Sequence, residues 1–145
     1  MDIKVTVSGL ENLITNVANI QAKTGSAGNV ALERVALLMR DTVVKYAGAG
    51  HPDNPNVITG RLRSSIQYQM ISDNEAFVGS NVDYAPYVEF GHAQTPGRYV
   101  PAIGKRLVQS VVPAYPFFRP AITDVFDGGQ ATKLYEASMR ELLGL

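Results

Sequence analysis

The chain has 145 residues, 46% of them hydrophobic and 18% charged, which is one ordinary domain able to bury its own core and a composition that argues against disorder. Thirteen Lys and Arg balance thirteen Asp and Glu, so no global field draws the protein to nucleic acid or membrane, although a local basic patch remains open. Cysteine is absent, which removes disulfides, Cys-based zinc sites and thiol nucleophiles.

Residues Ile3 to Val7 alternate, with Ile3, Val5 and Val7 on one side, and read as a short half-buried strand. Ser8 followed by Glu11 is a capping-box signal. Leu10, Leu13, Ile14, Val17 and Ile20 then recur at helical spacing, predicting a helix that runs to about Ala22 and stops near Gly25. A second helix is expected after Gly28, its apolar stripe formed by Leu32, Val35, Ala36, Met39, Val43 and Tyr46. Residues 47–58, beginning Ala47-Gly48-Ala49-Gly50-His51-Pro52, have loop composition and no periodicity, and are expected to be mobile.

Ile66, Tyr68 and Met70 alternate with Ser65, Gln67 and Gln69 as in a strand. Turn residues Ser72-Asp73-Asn74-Glu75 and a second run, Ala76 to Ser80, complete an antiparallel hairpin. Tyr84, Tyr87 and Phe90 are spaced by three, which suits one helical turn with an aromatic face. From Gly91 to Pro116 the chain carries Pro96, Pro101, Pro113 and Pro116 and short β-like runs at 98–100 and 107–112, and an extended hairpin arm over 91–115 fits it best. Pro120 opens a helix whose buried side is Ala121, Ile122, Val125 and Phe126. Gly128-Gly129 break it, and a last helix spans Ala131 to Leu143. The expected fold is therefore a single α+β domain over 1–145. A small antiparallel sheet, made of 3–7, the 65–80 hairpin and part of the arm, packs against helices, with a long extended hairpin arm projecting from it.

Chemical motifs are scarce. There is no phosphate-binding Gly-rich loop ending in Lys and Ser/Thr, and no Gly-x-Ser-x-Gly elbow. His51 and His92 are the only histidines, so a multi-histidine metal site has little support. Asp83, Glu89 and His92 are the one motive for a small hydrolase. Capping or surface roles for the carboxylates, and a hydrogen-bonded loop role for His92, are the simpler readings. No catalytic, cofactor or metal site is expected. No apolar run approaches the ~18 residues of a membrane span, and Met1-Asp2-Ile3-Lys4 does not begin a signal peptide, so the expectation is a protein made in a cytoplasm or built into something assembled there.

Two distributions are more informative. No acidic residue lies between Glu89 and Asp124, where Arg98, Lys105, Arg106 and Arg119 occur, and none lies between Asp53 and Asp73, where Arg61 and Arg63 occur. Arg61, Arg63, Arg98, Lys105 and Arg106 are thus candidates to face a polyanion or an acidic protein surface. Contact with few phosphates gives modest, salt-sensitive affinity. Seven of the twelve aromatics fall between Tyr84 and Phe118. Phe117 or Phe118 belongs to the core on this reading, whereas Tyr84, Tyr87, Phe90, Tyr99 and Tyr115 are candidate interface residues, because tyrosine is enriched at protein contacts.

Three segments carry a resemblance. Thr59-Gly60-Arg61-Leu62-Arg63-Ser64-Ser65-Ile66 resembles a TGxLRxSI segment, Asp83-Tyr84-Ala85-Pro86-Tyr87-Val88-Glu89-Phe90-Gly91 a YAxYVEFG box, and Pro116-Phe117-Phe118-Arg119-Pro120-Ala121 a PFLRPA box. In this order and spacing, and over roughly residues 5 to 145, the chain resembles the neck or tail-completion proteins of long-tailed double-stranded DNA bacteriophages. It departs from many of them in the inserted stretch Ala93 to Ala114. The resemblance implies a non-catalytic virion protein that forms a ring, a hexamer by the sixfold symmetry of the tail tube. That ring would join the portal-connector complex to the tail tube and line the DNA channel. Implied partners are further copies of itself, neighbouring connector, head-completion, tail-terminator or tail-tube proteins, and genomic DNA passing without sequence specificity; no membrane and no cofactor are implied. The implied location is the virion neck or tail, assembled in the host cytoplasm. A tail terminator and a nucleic-acid-binding accessory protein are the alternatives.

Overall fold

A long helix, α1, runs without interruption from Leu10 to Tyr46 and organises the rest of the molecule. At 1.5 Å per residue it is about 55 Å long. The computed structural model describes residues 10–48, 60–102 and 104–145. The expected strand 3–7 and most of the expected loop 47–58 lie outside the described residues; Ala47 and Gly48, which turn away from the end of α1, are buried.

Two helices divided near Gly25 were expected, and one is found. Position 28 lies against the C-terminal helix α5 (Gln130–Leu143): a Cβ there would stand 3.4 Å from the Tyr135 hydroxyl. Ala27 and Ala31 beside it are buried. Gly28 therefore lies within a helix contact and is not a stop. Polar groups reinforce the same contact. The Arg34 guanidinium donates to Glu141 Oε2 at 2.8 Å and to the buried Ser138 Oγ at 3.2 Å, and Lys23 Nζ donates to the Leu143 carbonyl.

The expected stripe on the second half of α1 is the wall of the core. Val35, Met39, Val43 and Ala47 pack with Ile66, Ala85, Phe117, Ala121, Val125 and Ala131. Phe117 is 2% exposed, and burying a side chain of that kind stabilises by about 2–3 kcal/mol.

A short helix that the sequence did not announce, α2 (Arg61–Ser65), leads into β1 (Ile66–Ser72). β1 pairs antiparallel with β2 (Glu75–Ser80), from Ile66 opposite Ser80 to Ser72 opposite Glu75, around an Asp73-Asn74 turn. This is the expected hairpin. Val78 packs against the core while Glu75 and Phe77 face outward, as strand alternation requires. Tyr68 ties β1 to α1 by donating its hydroxyl to Glu33 Oε1 at 2.9 Å.

Helix α3 (Ala85–Phe90) follows, with Pro86 in its first turn. The segment from His92 to Val112 departs from expectation. It is not one long extended arm and does not extend the β1–β2 sheet. It holds two separate two-residue ladders: β3 (His92–Ala93) against β6 (Val111–Val112), and β4 (Tyr99–Val100) against β5 (Lys105–Arg106). Single bonds from Gln94 N–H to Ser110 and from Gly97 N–H to Leu107 lie between them. Pro96 and Pro101 have no N–H to give a longer ladder, which limits regular pairing here.

Helix α4 (Phe118–Ile122) runs directly into a wide π turn, Thr123–Asp127, closed by Gly128 N–H donating to the Thr123 carbonyl. The expected break at Gly128-Gly129 then precedes α5. The architecture is thus mixed α+β, with a long helix packed on α5 and small two-stranded antiparallel sheets.

Candidate assembly surface

The YAxYVEFG-like and PFLRPA-like segments, far apart in sequence, form one structural unit. Glu89 on α3 is 5% exposed. Its Oε2 accepts the Phe117 and Phe118 N–H groups at 2.7 and 2.9 Å, and its Oε1 accepts the Arg119 N–H and Arg119 Nε, each at 3.1 Å. The first turn of a helix leaves N–H groups without intrahelical partners, and an anionic acceptor there also meets the positive end of the helix dipole. A carboxylate from another helix fills this role for α4. Burial pushes the Glu89 carboxyl up, but the N–H groups of Phe118, Phe117 and Arg119 together with the guanidinium outweigh it and hold the group below its ordinary value.

The joint is reciprocal. Arg119 Nη2 donates to the Glu89 carbonyl at 3.0 Å, and Tyr115 N–H donates to the Val88 carbonyl at 2.7 Å, so two carbonyls near the end of α3 are used by α4 and the segment that leads to it. Gly91 ends α3 at φ +72°, with a Cβ position 2.6 Å from the Val112 carbonyl oxygen. Only glycine fits there, and it lets β6 pass directly under the end of α3.

This unit presents the aromatic residues singled out from the sequence. Tyr84, Tyr87 and Phe90 are exposed on and beside α3, Tyr99 is exposed on β4, and Tyr115 is half-buried. Tyr87 meets His92 edge to face at 5.4 Å, Arg119 stacks over Phe90 at 5.3 Å, and Arg106 lies over Tyr99 at 5.9 Å. An open groove of about 540 Å³ lies between β2, α3 and α4, walled by Phe77, Val82, Pro86, Phe90, Phe118 and Ile122. Phe77, Phe90 and Ile122 leave large apolar surface at its rim.

The candidate cations fall on two elements. Arg61 and Arg63 are on α2, where the Arg63 guanidinium lies near Gly48 at the end of α1. Arg98, Lys105 and Arg106 cluster around the β4–β5 ladder, where Tyr99 stands opposite Arg106 and Val100 opposite Lys105. Arg106 Nη1 also donates to the Gly97 carbonyl at 2.8 Å.

Of the three residues that motivated a hydrolase, Glu89 is the cap described above and Asp83 is exposed at the groove. The Nδ1 of His92 is buried without a hydrogen-bond partner among the described residues, so the expected hydrogen-bonded loop histidine is not what is found at that atom. Among the described residues no cluster of three or more His, Asp or Glu side chains could hold a metal ion. Ile122 and Phe126, expected on the buried side of the helix after Pro120, are instead 44% and 52% exposed, while Ala121 and Val125 are buried as expected; sequence reasoning did not single out Phe77, Val108 and Val111 as surface residues. Strand alternation around the buried-side Val78 is the signal that places Phe77 outside.

No family model, curated protein or solved structure matches the chain.

Proposed function

We propose that the chain is a structural virion protein of a long-tailed double-stranded DNA bacteriophage, forming a ring at the head–tail junction that joins the portal-connector complex to the tail tube and lines the DNA channel. The observation that carries the reading is the joint built by Glu89. Two of the three segments on which the family resemblance rests are held together by a buried carboxylate, and around that joint the protein exposes Tyr84, Tyr87 and Phe90. Segments that combine a core clamp with exposed aromatics suit a subunit that meets its neighbours through a rigid surface. In a ring, cyclic closure follows from heterologous contacts, and sixfold symmetry matches the tube it would meet. The β4–β5 cations, or Arg61 and Arg63, would then face the channel or an acidic neighbour.

The test is electron microscopy of lysates from the parent phage with this gene deleted. Filled heads beside finished, unattached tails are the expected result. Tails of abnormal length make it a tail terminator instead, and complete infectious particles overturn the structural reading. The basic cluster Arg98, Lys105 and Arg106 favours a second reading, a nucleic-acid-binding accessory protein. Filter binding across a salt series separates the two, because an isolated joining subunit has little affinity for DNA.

A further inference from the structure

The chain is neutral as a whole, yet residues 90–118 carry three cations and no acid, so the remainder carries a formal net charge of −3. Arg98, Lys105 and Arg106 have no ion-pair partner among the described residues, since the ion pairs there are Arg34–Glu141, Arg40–Asp41 and Arg119–Glu89. The same segment displays apolar side chains to solvent. Val108 is 88% exposed and Val111 63%. One exposed segment is therefore both basic and partly apolar.

The groove between β2, α3 and α4 has the opposite character. Its rim is apolar at Phe77 and Phe90, which are 56% and 67% exposed. Its charge is acidic on balance. Arg119 is already matched by Glu89, while Asp83 lines the groove in no ion pair among the described residues and Glu75 shares the outward face of β2 with Phe77. Both surfaces belong to the same chain, and Val108 is too exposed to be seated in its own groove.

We infer that these two surfaces meet between copies: the 105–111 segment of one subunit, led by Val108 and Val111, seats in the groove of the next, with its cations beside Asp83 and Glu75. This is a head-to-tail contact, which leaves one free groove and one free segment at every step and therefore propagates until rotation closes it. Apolar anchors at the centre with charges at the edge is the usual arrangement of a specific interface. The inference rests on the self-associating part of the reading above and not on where in a particle the subunits sit.

The absence of cysteine gives a direct test. Full-length Val108→Cys protein is mixed with full-length Phe90→Cys protein at the highest soluble concentration and treated with a short bis-maleimide. Phe77→Cys serves as the second groove variant should Phe90→Cys fold poorly. The mixture is expected to give covalent dimers that neither variant gives alone, at a rate that falls as salt is raised. The Val108→Cys, Phe90→Cys double variant is expected to give a ladder ending at a closed ring. Association by sedimentation without mixed cross-links overturns this contact and leaves ring formation standing. Cross-links within Val108→Cys protein alone overturn it in favour of a symmetric contact. In particles, a cross-link from position 90 to a different protein overturns it, and absence of the chain from purified particles overturns the virion reading independently.

Discussion

Glu89 reaches across 28 positions of sequence to accept the Phe117 N–H at 2.7 Å, and through that bond the end of α3 becomes the cap of α4. Removing the carboxylate leaves three backbone donors and a guanidinium without their acceptor. Glu89→Ala is expected to lower stability by about 3 kcal/mol, or roughly 10 °C in Tm for a domain of this size. Thermal unfolding followed by circular dichroism checks it, and a change below about 1 kcal/mol would show that the cap is dispensable.

The same residue sets a pH dependence. Its folded-state pKa lies below its unfolded value, so its contribution is complete above the ordinary carboxyl value of 4.5 and is lost as pH falls through the lower folded value. Glu141, held low by the hydrogen bond and charge of Arg34, acts in the same direction, but it is exposed and screened by salt. The stability difference between wild type and Glu89→Gln is therefore expected to be constant near neutrality and to shrink in acid. Urea titrations from neutral pH downward read it directly; a gap that stays constant through the acid range contradicts the linkage.

Gly25 and Gly28 distinguish one helix from two. Nothing lies within 4 Å of a Cβ built at Gly25. α1 is continuous there, so Gly25→Ala is expected to raise stability by about 1 kcal/mol. A helix break at this position would make the same change neutral or destabilising. Equilibrium unfolding of the single variant decides between the two.

At Gly91 a side chain meets both a positive φ and the β6 backbone. Gly91→Ala is expected to cost roughly 2–4 kcal/mol and to loosen the β3–β6 ladder first. Amide hydrogen exchange at Gln94, which donates to Ser110, is the sensitive probe. Unchanged protection there would mean that the end of α3 can move without disturbing the segment beyond it.

The triple variant Arg98→Ala, Lys105→Ala, Arg106→Ala separates function from stability. These side chains are exposed and carry no ion pair among the described residues, so the stability change is expected to stay within about 1 kcal/mol. Head–tail joining or DNA retention is expected to fail. Phage of normal titre carrying the variant removes the functional role assigned to these cations.

What the linear pattern determined about this protein is local. Period-two alternation from Ile66 to Ser80 specified the hairpin, with Asp73-Asn74 at its turn, because a strand's two faces see different solvents. The stripe Val35, Met39, Val43 marked the core wall for the equivalent helical reason, and Gly128-Gly129 marked the last break. Tertiary structure decided the rest. Gly25 and Gly28 resemble a helix end in isolation, and only the packing of the long helix on α5, which reaches position 28, shows that the helix continues through them. Residues 92–112 look like one arm, and only the pairing partners show two short ladders separated from the main hairpin. Glu89 could be read as a capping or surface carboxylate, but its donors come from 28 to 30 residues away, and no local pattern encodes a hydrogen bond that forms only after α3 and α4 have packed on the same core.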